Sequence, residues 1–206
     1  MSTADAVDRK APRRRLTRDD RRRQLIEVSW RIAQAEGADA LTLGRLAEQA
    51  EVAKPVVYDH FGTRNGLLAE LYRDYDERVG AAMAAALSAS PDTLEDKARV
   101  IADAYVDCVL KQGRELFGVA AALEGSAELG AVRRQCDAAF LDQCEAALAP
   151  FVEAGISRIA LIGALGAADA LSHAAAAGDA DAEDAREELS RVILAAARRT
   201  ETGGRG

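Results

Sequence analysis

The sequence has little cysteine, proline or histidine, and each shortage excludes a class of protein. Its 206 residues include three cysteines, four prolines and two histidines. An odd number of cysteines without Cys-x-x-Cys spacing indicates neither a disulfide framework nor a zinc site, so Cys108, Cys136 and Cys144 are predicted to be buried thiols. Four prolines set against abundant Ala, Leu, Arg and Glu predict an all-α protein.

The chain also lacks the segments that take a protein into or across a membrane. Its N-terminus is polar and has no apolar core, so we expect no signal peptide and a cytoplasmic location. The most apolar stretch is bracketed by Arg158 and Asp169, which makes it shorter than the ~20 residues of a bilayer span. We therefore expect no membrane segment.

The residue patterns of common enzyme sites are missing as well. The sequence shows no paired catalytic carboxylates, no metal-ligand spacing and no glycine-rich phosphate loop. No motif places a nucleophile or carboxylate beside His60, and His173 is more typical of a surface or satisfied residue than of a ligand. A small α-helical enzyme is thus the least supported class, and we predict no catalytic residue, metal or cofactor.

Charge is divided unevenly between the two parts of the chain. The net charge is −7, but residues 1–73 hold 14 Lys and Arg against 11 Asp and Glu, whereas residues 74–206 hold 13 against 23. The first part is therefore at +3 and the second at −10. A basic end beside an acidic remainder suits a protein that places one face on nucleic acid.

Residues 41–68 have the pattern of a helix-turn-helix. Thr42 is a predicted N-cap, and apolar residues follow it at helical spacing as far as Ala50. Residues 51–53 interrupt the period, and Lys54-Pro55 then begins a second short helix, where proline loses no needed hydrogen bond. In such a pair the second helix enters the major groove of DNA and the first crosses the backbone.

The same stretch resembles the DNA-binding domain of TetR-family repressors. The departures are Glu51 and Ala53, where the family prefers glycine and serine, and Arg64, where it prefers lysine. A non-glycine residue with positive φ costs ~1 kcal/mol, so Glu51 is expected to affect the turn. The matching positions are Thr42, Leu46, Ala47, Ala50, Val52, Tyr58, His60, Phe61, Thr63 and Leu67.

The resemblance implies roles for individual side chains. Lys54 would read guanine or neutralise a phosphate, and Pro55 and Val56 would contact a thymine methyl. Tyr58 and His60 would flank phosphates, while Val57 and Phe61 turn inward. Three further positions complete the predicted DNA-binding set: Thr42 as a phosphate contact, a cap or both, Gly44 as room for close approach or a tolerated glycine, and Arg64 as a phosphate contact.

The flanking segments complete a two-part organisation. Residues 1–16 are a basic arm, predicted to be disordered, that lies in the minor groove or is a solvated tail. A helix capped by Thr17 or Asp19 runs to Gly37, and 17–63 is the predicted DNA-binding domain. Residues 64–89 form a connecting helix, a plausible switch element that ends near Ser90-Pro91, within a helical ligand-binding and dimerisation domain over 64–206.

The remaining helices are predicted over residues 93–112, 115–123, 127–148, 157–177 and 181–199. They carry no motif, and their apolar residues are core residues first. In the family the ligand pocket opens between these helices, which makes five side chains candidate walls: Tyr105, Cys108, Phe117, Phe140 and Cys144. The last two helices are rich in Ala and Gly, and small residues such as Gly163 and Gly166 suit either a four-helix dimer interface or packing within one chain. Their apolar residues are Ile159, Ile162, Leu165, Ala168 and Leu171, followed by Leu189, Val192, Ile193 and Ala196.

These patterns leave three functions open. The leading hypothesis is a repressor that binds an inverted-repeat DNA operator as a homodimer and is released by a small-molecule effector, for which coupling of ~1–3 kcal/mol suffices. The alternative is a DNA-binding protein of the same fold without a ligand, or one acting as an activator. The enzyme is third.

Overall fold

The computed structural model describes residues 16–112, 118–119, 122, 125–153 and 155–199. These residues form eight α-helices and contain no strand, so the prediction of an all-α protein is confirmed. Single turns of 3-10 helix lie at Ala38–Ala40 and Ala149–Phe151. The helices are α1 (Arg18–Glu36), α2 (Leu43–Gln49), α3 (Lys54–Phe61), α4 (Arg64–Ala89), α5 (Leu94–Gln112), α6 (Ala127–Leu148), α7 (Arg158–Ala177) and α8 (Ala182–Arg199).

Side-chain caps explain where several helices begin. The hydroxyls of Thr17, Thr42 and Thr63 each accept a hydrogen bond from the amide three residues further on, at 3.0–3.1 Å. Each bond satisfies one of the amides left free at a helix start. The helix bounds expected from the sequence agree to within one residue. The expected arm lies outside the described residues except for Leu16, as does most of the expected helix over 115–123.

One hydrophobic core holds the DNA-reading region together. It includes Leu25 and Ile32 of α1, Leu46 of α2, Val57 of α3 and Leu68 of α4, all buried. The same cluster continues into the predicted second domain through Val119, Leu129, Val132 and Cys136. The two predicted domains are therefore packed against each other through a shared core and are not separated by a linker.

Residues 118 and 119 make this contact especially close. Val119 is fully buried in the shared core. A Cβ added to Gly118 would lie 2.9 Å from the Cβ of Ala38, in the turn that precedes α2. Only a glycine allows so short an approach without displacing the neighbour.

The long helix α4 belongs to both parts, as expected of a connecting helix. Leu67 to Tyr72 pack in the first core, whereas Met83 packs in a second core formed with α5, α6, α7 and α8. Between them, the indole nitrogen of Trp30 on α1 donates to Asp74 of α4 at 2.8 Å. A displacement of α4 would consequently be felt in both parts of the molecule.

Candidate nucleic-acid interface and ligand cavity

The turn between α2 and α3 has the geometry of a helix-turn-helix. Glu51 has φ of 51°, a left-handed conformation that glycine adopts more readily, yet the chain turns here with glutamate. The amide of Val52 donates to Ala47 O at 3.0 Å and fixes the exit from α2. The turn therefore forms even though Glu51 stands where the family prefers glycine, and this glutamate adopts a positive φ.

Helix α3 is divided into a buried and an exposed face. Val57 and Phe61 are buried in the first core, which confirms their predicted inward orientation. On the other side Lys54 and Pro55 are exposed, and Tyr58 is 54% exposed although it is a large aromatic residue. Val56 and His60 are half-buried at the edge of this surface. All five residues predicted on α3 thus lie on or beside one accessible face.

Two side chains expected to meet phosphate are placed differently from each other. The Thr42 hydroxyl accepts from the Arg45 amide at 3.1 Å, so its capping role is present in the free protein. The Arg64 guanidinium folds back onto the turn before α2, donating from Nε to Leu41 O at 2.8 Å and from Nη2 to Ala38 O at 3.0 Å. Arg64 has a structural role here that its motif did not indicate.

Arg45 lies on α2, the first helix of the pair, and was not predicted to have a role. It forms a two-pronged pair with Glu36 of α1, with Nε–Oε2 at 3.1 Å and Nη2–Oε1 at 2.7 Å. This pair lowers the pKa of Glu36, chiefly through the hydrogen bond from Arg45. The partners are nine positions apart, and the chain between them includes a helix end and a 3-10 turn, so no helical spacing could have revealed the pair.

His60 lies at the end of α3 close to the start of α1. Its partial burial lowers its pKa, and the charges of Arg18, Arg21 and Arg22 act in the same direction. The nearby carboxylate of Asp59 has the opposite effect on that pKa. The nearby arginines thus outweigh Asp59, and the pKa of His60 is lowered.

An apolar cavity lies within the second core, between α5, α6, α7 and α8. It brings together three of the five predicted pocket residues: Tyr105, Phe140 and Cys144. The rings of Tyr105 and Phe140 meet edge to face, with centroids 5.2 Å apart. Burial raises the pKa of the Cys144 thiol to about 12, so this cysteine is protonated. The remaining walls are Ile101, Leu141, Leu148, Leu161, Ala164, Leu165, Ala168, Leu189 and Ile193.

The other two predicted pocket residues do not join this cavity. Cys108 lines a separate open groove of about 500 Å³ between α4 and α5, together with Arg78 and Lys111. It is half-buried, so the prediction of a buried thiol is right for Cys136 and Cys144 and wrong for Cys108. Phe117 lies outside the described residues.

One wall residue, Tyr105, is hydrogen-bonded to a charged pair that does not itself line the cavity. The Tyr105 hydroxyl donates to Asp169 Oδ1 at 2.6 Å, and Arg133 Nη2 donates to Asp169 Oδ2 at 3.0 Å. Tyr105, Arg133 and Asp169 therefore link α5, α6 and α7 through hydrogen bonds beside the apolar cavity. No group of three metal-ligating side chains occurs within the residues that the structure describes.

Helix α7 exposes an apolar stripe. Ile159 is 80% and Ile162 is 54% exposed, and a Cβ added to Gly163 or Gly166 would meet nothing within 4 Å. Leu165, Ala168, Leu189 and Ile193, which were grouped with the dimer interface from composition, instead face the cavity. Of the large apolar residues named for these two helices, Ile159 and Ile162 are the ones that are exposed.

The most apolar helix, α7, is longer than the sequence predicted, so the expectation that it is too short to span a bilayer was wrong. Helix α7 continues past Asp169 as one helix of 20 residues with mean hydropathy 1.5, long and apolar enough to cross a bilayer by length and composition alone. Its inner face packs in the second core through Leu161, Ala164 and Ala168. A core helix of a folded domain meets the same two criteria, so this is weak evidence for a span.

The fold and the exposed recognition helix define a helix-turn-helix DNA-binding protein with an attached helical domain. Residues 25–71 match the family model of bacterial regulatory proteins, tetR family. The sequence of residues 25–71 places the DNA-binding domain in the TetR family of bacterial regulatory proteins, and the chain as a whole has the fold of solved TetR-family regulators.

One curated protein is similar to part of the chain. HTH-type transcriptional activator FasR from Mycolicibacterium smegmatis is 33% identical over 96 residues, which are 46% of this chain and 43% of FasR. The match thus spans less than half the length of that curated relative.

Solved structures match over most of the chain. A TetR-family transcriptional regulator from Streptomyces coelicolor superposes with a TM-score of 0.67 at 21% identity, over 88% of this chain and 96% of that one. The fatty acid degradation regulator FadR from Bacillus halodurans gives 0.69 at 16% identity, over 84% and 94%. At such identities the likeness establishes the fold and leaves ligand and operator open.

Proposed function

We propose that the protein is a transcriptional regulator that binds an inverted-repeat operator as a homodimer and whose DNA affinity changes when a small molecule occupies the second domain. The observation that carries this proposal is the accessible face of α3, opposite the buried Val57 and Phe61 and presented by a helix-turn-helix that matches the TetR family model. In the proposed organisation residues 17–63 read DNA, and residues 64–206 bind ligand and dimerise.

The face of α3 supports the residue roles implied by the family. Lys54, Pro55 and Val56 lie at the N-terminal end of the helix, from which they would reach base edges, and Tyr58 is free to reach a phosphate. Gly44, half-buried on α2, has only the Thr42 hydroxyl within 4.0 Å of an added Cβ, which leaves space for the DNA backbone. The phosphate contact of Arg64 remains a prediction beside its observed bonds to Leu41 and Ala38.

Dimerisation is supported by the outer face of α7. An exposed stripe of two isoleucines and two glycines on one helix is unfavourable in water, and the glycines permit close approach of a second helix. A second copy of the chain is the partner that also supplies the two-fold symmetry needed to read an inverted repeat.

The proposed effector is a mainly apolar molecule. The cavity walls are almost entirely aliphatic or aromatic, and its free space is only about 20 Å³, little more than one water molecule occupies. A ligand must therefore push α5, α6, α7 and α8 apart to enter. A regulator of the same fold is named for fatty acid degradation, and an acyl chain has the narrow apolar shape that such a cavity would accept.

The direction of regulation has two candidates. Repression through operator occupancy is the leading proposal, with release when ligand binds. Activation is the second, because the curated relative FasR is called an activator. Transcription from an operator-bearing promoter, measured with and without the protein, separates the two. For either role we propose a cytoplasmic location.

Substitutions on α3 test the reading function. Once an operator has been selected, Lys54→Ala and Tyr58→Phe should each weaken its binding by about tenfold while circular dichroism and dimer mass stay unchanged. Glu77→Gln, an exposed change on α4, is the matched control and should bind like the unaltered protein. Full affinity in both α3 variants would contradict the assignment of this helix.

A further inference from the structure

Tyr105 separates the apolar cavity from a carboxylate. Its side chain forms part of the cavity wall, and its hydroxyl donates to Asp169 Oδ1 at 2.6 Å. Asp169 does not line the cavity, and its second oxygen accepts from Arg133 Nη2 at 3.0 Å. A tyrosine hydroxyl is a neutral donor, and a charged donor forms a stronger hydrogen bond to a carboxylate. A cationic group that entered the cavity would therefore compete with Tyr105 for Asp169.

Negative charge predominates around this hydrogen bond. Asp137 is a second carboxylate on Arg133, with its Oδ2 3.9 Å from Nε. Burial raises the pKa of Asp137, and the charge of Asp169 adds to this effect while Arg133 opposes it. In residues 74–206 as a whole, 23 Asp and Glu stand against 13 Lys and Arg. Both the local and the wider charge attract a cation and repel an anion.

A buried hydroxyl on α7 offers a further acceptor. Ser172 is fully buried, and its Oγ has no hydrogen-bond partner in the part of the chain that the structure describes. It follows the cavity wall residue Ala168 by one turn, and both belong to the buried face of α7. A buried hydroxyl without a partner is destabilising, and a donor on a ligand would remove that cost. An ammonium group has three N–H donors, enough for Asp169 and Ser172 together.

We propose that the effector is a primary amine on a narrow apolar chain, which fills the cavity with its chain and displaces the Tyr105 hydroxyl from Asp169 with its ammonium group. The inference rests on the proposed ligand-binding function of the second domain and names the chemical class of its ligand. A carboxylate in the same place would stand against Asp169, and would reach Arg133 only by breaking the pair that Arg133 forms with Asp169. A neutral alcohol would donate to Asp169 without bringing a charge. At equal chain length the order of affinity is therefore amine, alcohol, acid.

Displacement of Tyr105 would reach the DNA-reading region through contacts that are already present. Tyr105 packs against a small buried cluster that includes Tyr75 and Val79 of α4. Trp30 of α1 packs against the same cluster and is the single tryptophan of the chain. Its fluorescence should consequently change when an amine moves Tyr105. Unchanged emission at a saturating amine concentration would contradict the displacement.

Three compounds with one chain and different ends test the class of ligand: octylamine, octanol and octanoate. The octyl chain is chosen because the wall residues Leu161 and Ala168 are about 10 Å apart along α7, close to the length of such a chain. Calorimetric titration of the full-length protein at pH 7 measures each affinity. We expect octylamine to bind at least about tenfold more tightly than octanol, and octanoate at least about tenfold more weakly than octanol. Octanol or octanoate binding as tightly as octylamine would overturn the proposal.

Asp169→Asn tests the charge at the site. The variant keeps an acceptor for Tyr105 but loses the carboxylate, so octylamine binding should weaken by about tenfold or more while octanol stays within about twofold. Asp142→Asn is the matched control, because Asp142 of α6 pairs with Arg158 of α7 outside the cavity. It should change octylamine binding by less than about twofold. Equal losses in the two variants would mean general attraction to an acidic domain and would overturn the site.

Tyr105→Phe separates displacement from a structural role of the hydroxyl. The variant keeps an aromatic ring in the cavity wall and removes the group that competes for Asp169. Octylamine should therefore bind about two- to fivefold more tightly, and octanoate should gain nothing. A loss of octylamine affinity in a variant that unfolds at the same temperature as the unaltered protein would overturn the displacement.

The effector role has its own measurement. Saturating octylamine should change the affinity for a selected operator by at least about fivefold, and an unchanged affinity would overturn octylamine as a model of the effector. Binding of none of the three compounds, beside tight binding of a selected operator, would overturn the amine proposal and leave the DNA-reading function. Selective octylamine binding without any enriched operator would support the amine site and overturn the DNA-reading function.

Discussion

The DNA-reading region and the helical second domain are built from the same kind of helix but differ in how completely their apolar surfaces are used. In the first, Leu25, Leu41, Leu46, Leu67 and Leu68 are all fully buried in one core. In the second, the core contains a small cavity, and α7 leaves Ile159 and Ile162 exposed. In the function proposed above, the closed region is the one that holds a rigid shape against DNA, and the region with unfilled surface is the one that meets a ligand and a partner.

The largest effect expected from this difference concerns matched leucines. Leu46→Ala should lower the free energy of unfolding by about 3–5 kcal/mol, since it empties a closed core, whereas Leu161→Ala beside the cavity should cost about 2–3 kcal/mol. Chemical denaturation measures both. The enlarged cavity of Leu161→Ala should also bind small hydrocarbons that raise its melting temperature, and equal costs without such binding would remove the contrast.

The next largest effect is expected from the exposed isoleucines of α7. Ile159→Lys with Ile162→Lys should convert a dimer to a monomer and weaken operator binding about 100-fold, a loss of ~2.7 kcal/mol. The matched control is Ala81→Lys with Ala84→Lys, which adds two charges at the same spacing on exposed positions of α4. Sedimentation gives the masses, and a persistent dimer in the isoleucine variant would place the interface elsewhere.

Two glycines of α4 differ in the space around them, Gly66 in the DNA-reading region and Gly80 beside the second domain. A Cβ on Gly66 would lie 2.1 Å from the carbonyl oxygen of Phe61, so Gly66→Ala should cost about 2 kcal/mol. At Gly80 the nearest atom is 3.4 Å away, at the end of the Gln143 side chain, and alanine should stabilise the helix by about 0.5–1 kcal/mol. Thermal unfolding should therefore give opposite signs, and a common sign would contradict the packing described for Gly66.

The sequence predicted the DNA-reading region better than the second domain. Helix caps and the ends of α4 are local features, and periodicity with capping chemistry was enough to find them. The inward orientation of Val57 and Phe61 was implied by the resemblance to the TetR family. The fold-back of Arg64 was not predictable, because its acceptors are backbone carbonyls of a turn brought to it by tertiary packing.

The second domain was harder because its features are shared among distant segments. The cavity takes walls from four helices, and residues on α7 and α8 that look like interface by composition face it instead. The pairing of Tyr105 and Arg133 with Asp169 joins residues 64 and 36 positions apart. Spacing rules operate within one helix, so neither feature could be found without the packing.

The smallest expected effect concerns the turn of the reader. Glu51→Gly removes the strain of a non-glycine residue at positive φ, but glycine also loses ~1 kcal/mol more conformational entropy on folding. Because the two contributions nearly cancel, the free energy of unfolding should change by no more than about 0.5 kcal/mol. Gly62→Ala, at φ of 65°, should instead lose about 1 kcal/mol. A large gain from Glu51→Gly would show that the glutamate strains the turn more than its conformation indicates.

The most direct test of the whole account is the mass of the complex formed on DNA selected from a random duplex pool. The account predicts that an inverted repeat is enriched, that two protomers occupy each duplex, and that binding weakens steeply as salt rises. One protomer on each duplex, or no enriched sequence, would contradict the proposal that the exposed face of α3 reads an operator as part of a dimer.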